Sequence, residues 1–426
     1  MQLDKKNVKT ALFAASCALL GSNAVAEDWE YDAAIMYYGE SDRVQAVEGI
    51  FHANKDLKNG REFSGKVVLD SLTGASANGA VPQDTPQTFT SPSGKGRYEG
   101  KANEMPLDDS FVDTRLQLGG QWSQPLGENY LFSAGANLSA EFDYQSIAFN
   151  TMIGRYLNKK NTTLSLGLSY AFDRIQPDGG RPIALSRTVP DAEQFDSQEA
   201  FDQAFNATRQ SGGDDSKNTL DIIFGLTQVI NRRWITQFNF SLSEVDGYLT
   251  DAYKIVSEVN TDGRAISQRY ESRPSTRSKM AFFAQSKYHF KKSVWDISYR
   301  ISDDDWGLTG QSLETRYRYM FANNSYLEPH IRFYQQDAAD FYQPFLLAGE
   351  ALPEFVSADY RIGKLNTYTV GLKYGKKINN GREYGVRLEY YNQTPQDIGI
   401  EAPGQLAAQD LYPSINAVIV QFSYKY

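Results

Sequence analysis

Apolar and polar residues alternate along most of the chain in runs of about ten residues. A period of two places successive side chains on opposite faces of a β-sheet. In the run 325–335, Leu327 and Ile331 share one face, whereas Glu328 and Arg332 share the other. Sixteen such runs are predicted as strands, at 29–38, 43–54, 62–70, 111–123, 130–142, 146–156, 161–172, 218–230, 233–244, 280–290, 293–302, 312–321, 325–335, 364–375, 382–391 and 415–426.

The connections between these runs alternate between two lengths. The short ones are rich in Asn, Lys and Gly, which favour tight hairpins; they are 55–60, 125–129, 158–161, 231–232, 291–292, 322–325 and 377–381. Five of the intervening ones are long, at 71–110, 173–216, 245–276, 336–360 and 392–413. Brief turns at one end and long loops at the other are typical of membrane barrels.

This alternation predicts an all-β fold, a transmembrane antiparallel β-barrel of about 16 strands. We expect short periplasmic turns and long extracellular loops. A soluble β-sandwich or propeller is the alternative, and the loop 71–110 disfavours it because compact soluble domains rarely contain irregular loops of that length.

The first 26 residues have the pattern of a secretory signal peptide. Lys5 and Lys6 precede the apolar stretch 11–20, and Ala24-Val25-Ala26 forms a small-x-small cleavage site. We therefore predict a signal peptide at 1–26 and a barrel at 27–426. A lipoprotein with lipid on Cys17 is disfavoured, because no large aliphatic residue stands directly before it. No apolar stretch has the length of a membrane-spanning helix.

Composition removes several classes of function. The chain has a net charge of −9, which becomes −11 without residues 1–26 because these hold one Asp and three Lys. An acidic balance argues against nucleic-acid binding. Cys17 is the only cysteine, and the three histidines (His52, His289 and His330) lie on separate runs beside no nucleophile motif. We predict no enzyme activity, metal site or cofactor.

The last run ends on the final residue of the chain. Phe422, Tyr424 and Tyr426 share one face with apolar residues before them. A terminal aromatic after such alternation resembles the C-terminal signal that the outer-membrane assembly machinery reads. We therefore expect export to the outer membrane of a Gram-negative bacterium, with the barrel-assembly machinery and outer-membrane lipids as partners.

The polar face of the later strands is rich in charge. By alternation, nine charged residues are predicted to line the lumen: Asp296, Arg300, Glu314, Arg316, Arg318, Glu328, Arg332, Arg387 and Glu389. Opposed acidic and basic rows create a transverse field that selects solutes by charge and dipole. The alternative is a lining that is merely compatible with water and that helps to fix strand register.

Two connections and one turn carry further expectations. Asp303, Asp304 and Asp305 stand in a predicted short extracellular turn, where clustered acids bind a divalent cation or, more simply, form a solvated turn. The turn lacks the spaced ligands of an EF-hand. Loop 71–110, with several prolines, is expected to fold inside and narrow the pore. The amphipathic stretch 191–209 predicts a short helix at the mouth.

Five segments carry a resemblance to a known family: VLDSLTGASANGAVPQDTPQTFTSPSG (68–94), DGYLTDAYKIVSEV (246–259), SDDDWG (302–307), PHIRFYQQDAADFYQPFL (329–346) and VSADYRIGKLNTYTVGLKYG (356–375). Over nearly the whole predicted mature chain, the sequence resembles a proteobacterial outer-membrane barrel family of unknown function. The resemblance implies the same barrel and location, and no activity. Relatives are often encoded near flavin-attachment and thioredoxin-like proteins, which suggests a link to periplasmic redox maturation.

Two functions remain open from the sequence. The first is a porin-like pore or facilitator for small polar solutes. The second is a non-conducting envelope scaffold, or a partner of a periplasmic or surface redox system. Assembly of several barrels, as in trimeric porins, and a periplasmic partner are also left open.

Overall fold

The computed structural model describes residues 29–41, 43–109, 112–378 and 381–426. The predicted signal peptide 1–26 lies outside these residues. Sixteen long strands form a closed barrel. They are β1 (Trp29–Glu40), β2 (Gln45–Asp56), β3 (Glu62–Thr73), β8 (Val112–Leu126), β9 (Tyr130–Ala140), β10 (Tyr144–Leu157), β11 (Thr162–Ile175), β12 (Asp215–Asn231), β13 (Trp234–Gly247), β16 (Thr276–His289), β17 (Ser293–Asp304), β18 (Thr309–Met320), β19 (Ser325–Gln336), β21 (Leu365–Lys377), β22 (Glu383–Pro395) and β23 (Ile415–Lys425).

Each barrel strand pairs antiparallel with its neighbours in chain order, and the last strand returns to the first. Ile35 on β1 lies opposite Phe422 on β23, in a register that runs from Asp32 to Glu40. Closure leaves the barrel sheet without an edge strand, which a hydrocarbon environment requires. The predicted transmembrane barrel and all sixteen of its strands are confirmed.

The two faces of the barrel differ in chemistry. On the outer face, Leu388 is 57% exposed, and Phe149 and Val370 are each 56% exposed. Side chains of this kind recur on the outer face of strand after strand, and they form the apolar band that contacts lipid. Their chain neighbours point into the lumen, because side chains alternate along a strand. Period-2 patterning therefore sets both faces at once.

Seven short turns join the strands at one end, which we call the short-turn end. These turns contain two to five residues, and they coincide with the seven predicted short connections. In the turn after β10, Asn158, Lys159 and Lys160 all have positive φ, a conformation that suits tight hairpins. The C-terminus lies at the same end, where the Tyr426 N–H donates to the Tyr31 carbonyl at 2.9 Å.

Five long connections lie at the opposite, long-loop end: 74–111, 176–214, 248–275, 337–364 and 396–414. Their described residues are called the loop cap below. The cap contains seven short strands, namely β4 (Ser76–Ala77), β5 (Gln87–Thr90), β6 (Arg97–Gly100), β7 (Leu107–Asp108), β14 (Ile255–Val259), β15 (Ala265–Tyr270) and β20 (Phe345–Leu347).

The cap also contains helix α1 (Gln198–Ala207), as the amphipathic stretch predicts, and 3₁₀ helices at Ala192–Gln194, Tyr360–Ile362 and Gly404–Ala408. Phe201 and Phe205 of α1 pack on Val189 inside the cap. Among the described residues, no helix is long and apolar enough to cross a membrane.

The alternation of faces can be tested at two adjacent residues in the middle of β10. Phe149→Arg places a charge on the lipid face, which costs about 2–4 kcal/mol at the bilayer midplane. Asn150→Arg places the same charge in the lumen. We expect Phe149→Arg to lower the free energy of unfolding from phospholipid vesicles by that amount, measured by urea titration.

Asn150→Arg is the matched control, and its unfolding free energy should stay near that of the wild type. Equal losses in the two variants would contradict the assignment of Phe149 to lipid and Asn150 to the lumen.

Candidate functional site

The wall formed by β16 to β22 carries most of the charge in the lumen. The register places all nine residues predicted to line the lumen on its inner face. Asp296 lies opposite Arg316, Glu314 opposite Arg332, and Glu389 opposite Gly371. This wall is called the charged wall below. Its selective role remains a prediction.

Several ion pairs along the charged wall run between neighbouring strands. Arg318 Nε lies 2.6 Å from Glu328, and Lys287 lies 3.1 Å from Asp296. Arg277 on β16 pairs with Asp304 at the end of β17. Because each strand contributes one partner, these pairs bind adjacent strands together as well as lining the lumen.

His330 joins two carboxylates in the middle of this wall. Its Nδ1 lies 2.8 Å from Glu389, and its Nε2 lies 3.3 Å from Glu314. Arg316 approaches Glu314 at 2.6 Å, and Arg387 approaches Glu389 at 3.7 Å. Gly371 leaves room for the Glu389 side chain, because a Cβ at that position would lie 2.5 Å from Glu389 Cγ.

A second charged group, called the acidic cluster here, lies elsewhere on the inner wall. Glu48, Asp70 and Asp113 come from β2, β3 and β8, and Glu141 follows β9. Arg115 lies among them, 2.6 Å from Asp70 and 4.0 Å from both Glu48 and Glu141. Burial and the nearby Asp113 raise the pKa of Glu141 to about 7, although Arg115 opposes this shift.

Strand order sets the two charged groups across the lumen from each other. Asp70 is on the third barrel strand and Arg300 on the eleventh. Glu141 follows the fifth strand, and Arg332 is on the thirteenth. Half of the sixteen strands separate each pair, so the groups face each other. All four residues lie in the half of the barrel nearer the long loops.

The wall between these groups, from β9 to β13, is lined mainly by small neutral residues. Examples are Ser133, Asn137, Ser169, Gly225 and Ser241, which occupy the inward positions of the register. Short side chains leave space in front of them. The large inward Ile223 is 41% exposed at the middle of β12, so the lumen in front of it is open.

The predicted turn at Asp303–Asp305 is only partly solvated, because Asp303 and Asp305 are exposed whereas Asp304 is not. Asp304 is buried, pairs with Arg277, and accepts from the N–H groups of Trp306 and Leu308 at 3.1 and 3.0 Å. Asp303 accepts from Thr309, and Asp305 from the Ser278 N–H. The three acids thus act separately, and no group of acids, His and Cys in the described ranges is arranged to hold a metal ion.

The solvated-turn expectation is therefore wrong for Asp304, and the physical cause is Trp306. The indole is 4% exposed, packs on Phe341 from the cap, and carries Arg277 over its ring at 4.5 Å. Burying Trp306 brings Asp304 into the protein, where Arg277 compensates its charge. The turn therefore anchors the cap to the barrel rim.

Apolar contacts hold the five loops of the cap together. One cluster joins Val81, Val259, Phe345 and Leu406, each from a different loop. A three-stranded sheet is also shared, because β20 adds in parallel to β14 while β15 pairs with β14 on its other side. Loop 71–110 contacts these other loops, as Val81 does in this cluster. Its narrowing of the pore remains a prediction.

A polar group at the centre of the cap, called the cap ion network, consists of Asp251, Lys254, Glu271, Arg273, Asp359 and Arg361. Glu271 is fully buried, and Asp359 is 1% exposed. Arg273 bridges them at 3.0 and 2.8 Å, and Arg361 donates to Asp359 at 2.8 Å. Lys254 donates to the carbonyl of Ala77. The network therefore ties together three of the loops.

Burial and the neighbouring cations shift the pKa values of two acids in this network. It raises the pKa of Glu271 to about 7, although Arg273 opposes this shift. Burial also acts on Asp359, but Arg361 and Lys254 outweigh it and hold the pKa of that carboxyl below its usual range. Because these two carboxylates are buried, the stability of the cap depends on the arginines that compensate their charge.

The terminal aromatic residues lie where β23 meets β1. Phe422 is 41% exposed on the outer face, and Tyr424 shares that face. The ring of Tyr426 packs edge-on against Tyr424 at 4.6 Å and against Tyr31 at 6.4 Å. These rings therefore belong to the seam that closes the barrel, and their reading by the assembly machinery remains a prediction.

Sequence reasoning missed the acidic cluster and the cap ion network. Glu48, Asp70 and Arg115 occupy inward positions of their strands, so the alternation used for the later strands also identifies them. The cap network has no comparable signal, because its residues come from irregular loops without periodicity. Three-dimensional packing alone brings Glu271 and Asp359 to Arg273.

A family described as "Protein of unknown function (DUF3570)" matches residues 9–426. The chain belongs to this family. The expected family resemblance is thus confirmed, and the match spans the whole barrel and its cap. No sequence among the curated proteins matches the chain.

Solved structures similar to this family member are outer-membrane proteins. A bacterial polysaccharide outer membrane secretin is 9% identical with a TM-score of 0.43, over 94% of this chain and 99% of that one. The CymD monoaromatic hydrocarbon channel is 7% identical with a TM-score of 0.40, over 94% and 88%. The siderophore receptor PirA from Pseudomonas aeruginosa is 8% identical with a TM-score of 0.41, over 93% and 61%. Similarity this low carries no argument about function.

The cap ion network leads to a stability prediction. Arg273→Ala leaves Glu271 and Asp359 without their shared cation, and loss of one partner from a buried ion pair costs about 3–5 kcal/mol. We expect faster hydrogen exchange in peptides covering 250–275 and 354–363, measured by mass spectrometry, while exchange in the barrel strands is unchanged.

Arg174→Ala is the matched control, because its pair with Asp214 is exposed. An exposed pair contributes less than about 1 kcal/mol. Protection of the cap peptides in Arg273→Ala that equals protection in Arg174→Ala would contradict a stabilising role for the network.

Proposed function

We propose that this barrel is an outer-membrane pore or facilitator for small polar solutes. The observation that carries the proposal is the open space inside the barrel at mid-height. Ile223 and Met152 point inward and are 41% and 37% exposed. Barrels of 16–18 strands are wide enough to leave an aqueous channel.

The inner charges support passage of polar solutes. The side chains of Arg316 and Arg318 are 37% and 39% exposed although they belong to ion pairs. With the acidic cluster on one side and Arg300 and Arg332 on the other, the field runs across the lumen. Such a field orients a solute with a dipole and favours it over an apolar one.

The loop cap acts as the gate in this proposal. Its contacts with the rim include Trp306 on Phe341 and Arg43 over the ring of Tyr360 at 5.3 Å. Within the cap, the ion network joins the loops that meet over the mouth. A solute enters from the long-loop side when these loops separate.

A second candidate is a non-conducting envelope scaffold or a partner of a periplasmic or surface redox system. The packing of the cap favours it, because Val256, Val259, Val356 and Leu406 are fully buried. A cap packed this well seals the mouth permanently in that reading. Its outer surface then holds another envelope protein.

Planar-bilayer recording of the purified, refolded protein tests the pore. We expect discrete steps of ion current. Glu48→Gln removes one negative charge from the acidic cluster and should shift the reversal potential in a KCl gradient towards anion selectivity. Glu128→Gln, which removes a charge from an exposed turn at the short-turn end, should leave the reversal potential unchanged.

Arg273→Ala separates the pore from the scaffold. Because this substitution weakens the cap, the pore proposal expects longer or more frequent openings in this variant than in the wild type. Absence of current in both proteins, with barrels shown to be folded by heat-dependent gel mobility, would overturn the pore and favour the scaffold.

A further inference from the structure

The charged wall contains more cations than its carboxylates can pair. Every inward carboxylate from β16 to β22 has a partner among the described residues. Asp304 engages Arg277, Asp296 engages Lys287, Glu328 engages Arg318, Glu389 engages His330, and Glu383 accepts from Tyr326. The remaining acid, Glu314, lies 2.6 Å from Arg316.

Three cations are left over in the half nearer the long loops: Lys279, Arg300 and Arg332. Among the residues described, none of them has a carboxylate within the 4.0 Å of an ion pair. Even the acid directly across from Arg332, Glu314, turns to Arg316 and His330 instead. Likewise Asp304, across from Lys279, pairs with Arg277.

Most strand neighbours of the two arginines are neutral, apart from Glu314, which lies across from Arg332 on β18. Arg300 lies between Phe283 and Ser312, and Ser312 lies next to Tyr334 on β19. Arg332 lies beside Thr369, and its guanidinium is 6.0 Å from the Tyr334 ring. The hydroxyl groups of Ser312 and Thr369 can donate to a bound oxyanion, whereas the Tyr334 hydroxyl donates to Gln336 at 2.7 Å.

The spacing suits one small anion. Arg300 and Arg332 are two strands and two residues apart, so their Cα atoms are roughly 12 Å apart in a regular sheet. An arginine side chain extends about half that distance. The two guanidinium groups can therefore approach the same oxyanion from opposite sides, in the fork geometry that suits carboxylates and phosphates.

We propose that Arg300 and Arg332 form a binding site for the carboxylate or phosphate group of a small solute. The site rests on the proposed pore, because it names the class of solute that the lumen takes. It faces the acidic cluster across the lumen, so a solute whose other end is neutral or positive is accommodated best.

Titration calorimetry of the detergent-solubilised full chain tests the site without requiring conduction. The probes are inorganic phosphate and acetate, with choline as a cationic comparison. We expect the wild type to bind at least one of the two anions, and the tighter one identifies the group. The double variant Arg300→Ala/Arg332→Ala should bind at least about tenfold more weakly, since it loses charge-assisted hydrogen bonds.

Lys66→Ala is the matched control, because Lys66 is an inward cation on β3 without a carboxylate partner among the described residues. Its anion affinity should equal that of the wild type. Arg300→Lys/Arg332→Lys keeps both charges and should recover part of the affinity. This variant also supports the test if the alanine variant does not fold.

Three results would overturn the site: no heat from either anion with the wild type, unchanged affinity in the double alanine variant, or an equal loss in Lys66→Ala. Failure of the pore is distinguishable from these. Anion binding without conductance contradicts the pore and keeps the site, whereas conductance without anion binding contradicts the site and keeps the pore.

Discussion

The pairing of β23 with β1 is the constraint on which the rest of the molecule depends. Lipid offers no hydrogen-bond partners, so an open sheet in the membrane leaves one row of N–H and C=O groups unpaired on each edge. The register from Asp32 to Glu40 against β23 removes both edges. Closure then requires an apolar outer face, and it leaves the inner face free to carry charge.

Charged residues are distributed unevenly around the lumen. Ion pairs concentrate between β16 and β22, an acidic cluster lies half a barrel away, and small neutral residues fill the wall from β9 to β13. At the long-loop end, the loops of the cap pack around the buried Glu271 and Arg273. In the proposed pore, the barrel provides space and a directed field, and the cap acts as the gate.

The sequence predicts the barrel well because period-2 alternation is both the signal and the cause of the fold. The same alternation places Arg300 and Glu314 on the inner face. It does not show which charges pair, because the choice of Glu314 between Arg316 and Arg332 depends on side-chain conformation across strands. The cap was least predictable. The burial of Trp306, which made the solvated-turn prediction wrong for Asp304, depends on contacts with Phe341 from a distant segment.

Water in the lumen at mid-height is the central claim, and chemical labelling tests it most directly. The chain has one cysteine, Cys17, in the predicted signal peptide, so a single new thiol can be followed. In liposomes accessible from both sides, Asn150→Cys should react with a membrane-impermeant maleimide, as Glu128→Cys in an exposed turn does. Phe149→Cys should remain unreactive. An unreactive Asn150→Cys beside a reactive Glu128→Cys would contradict the account.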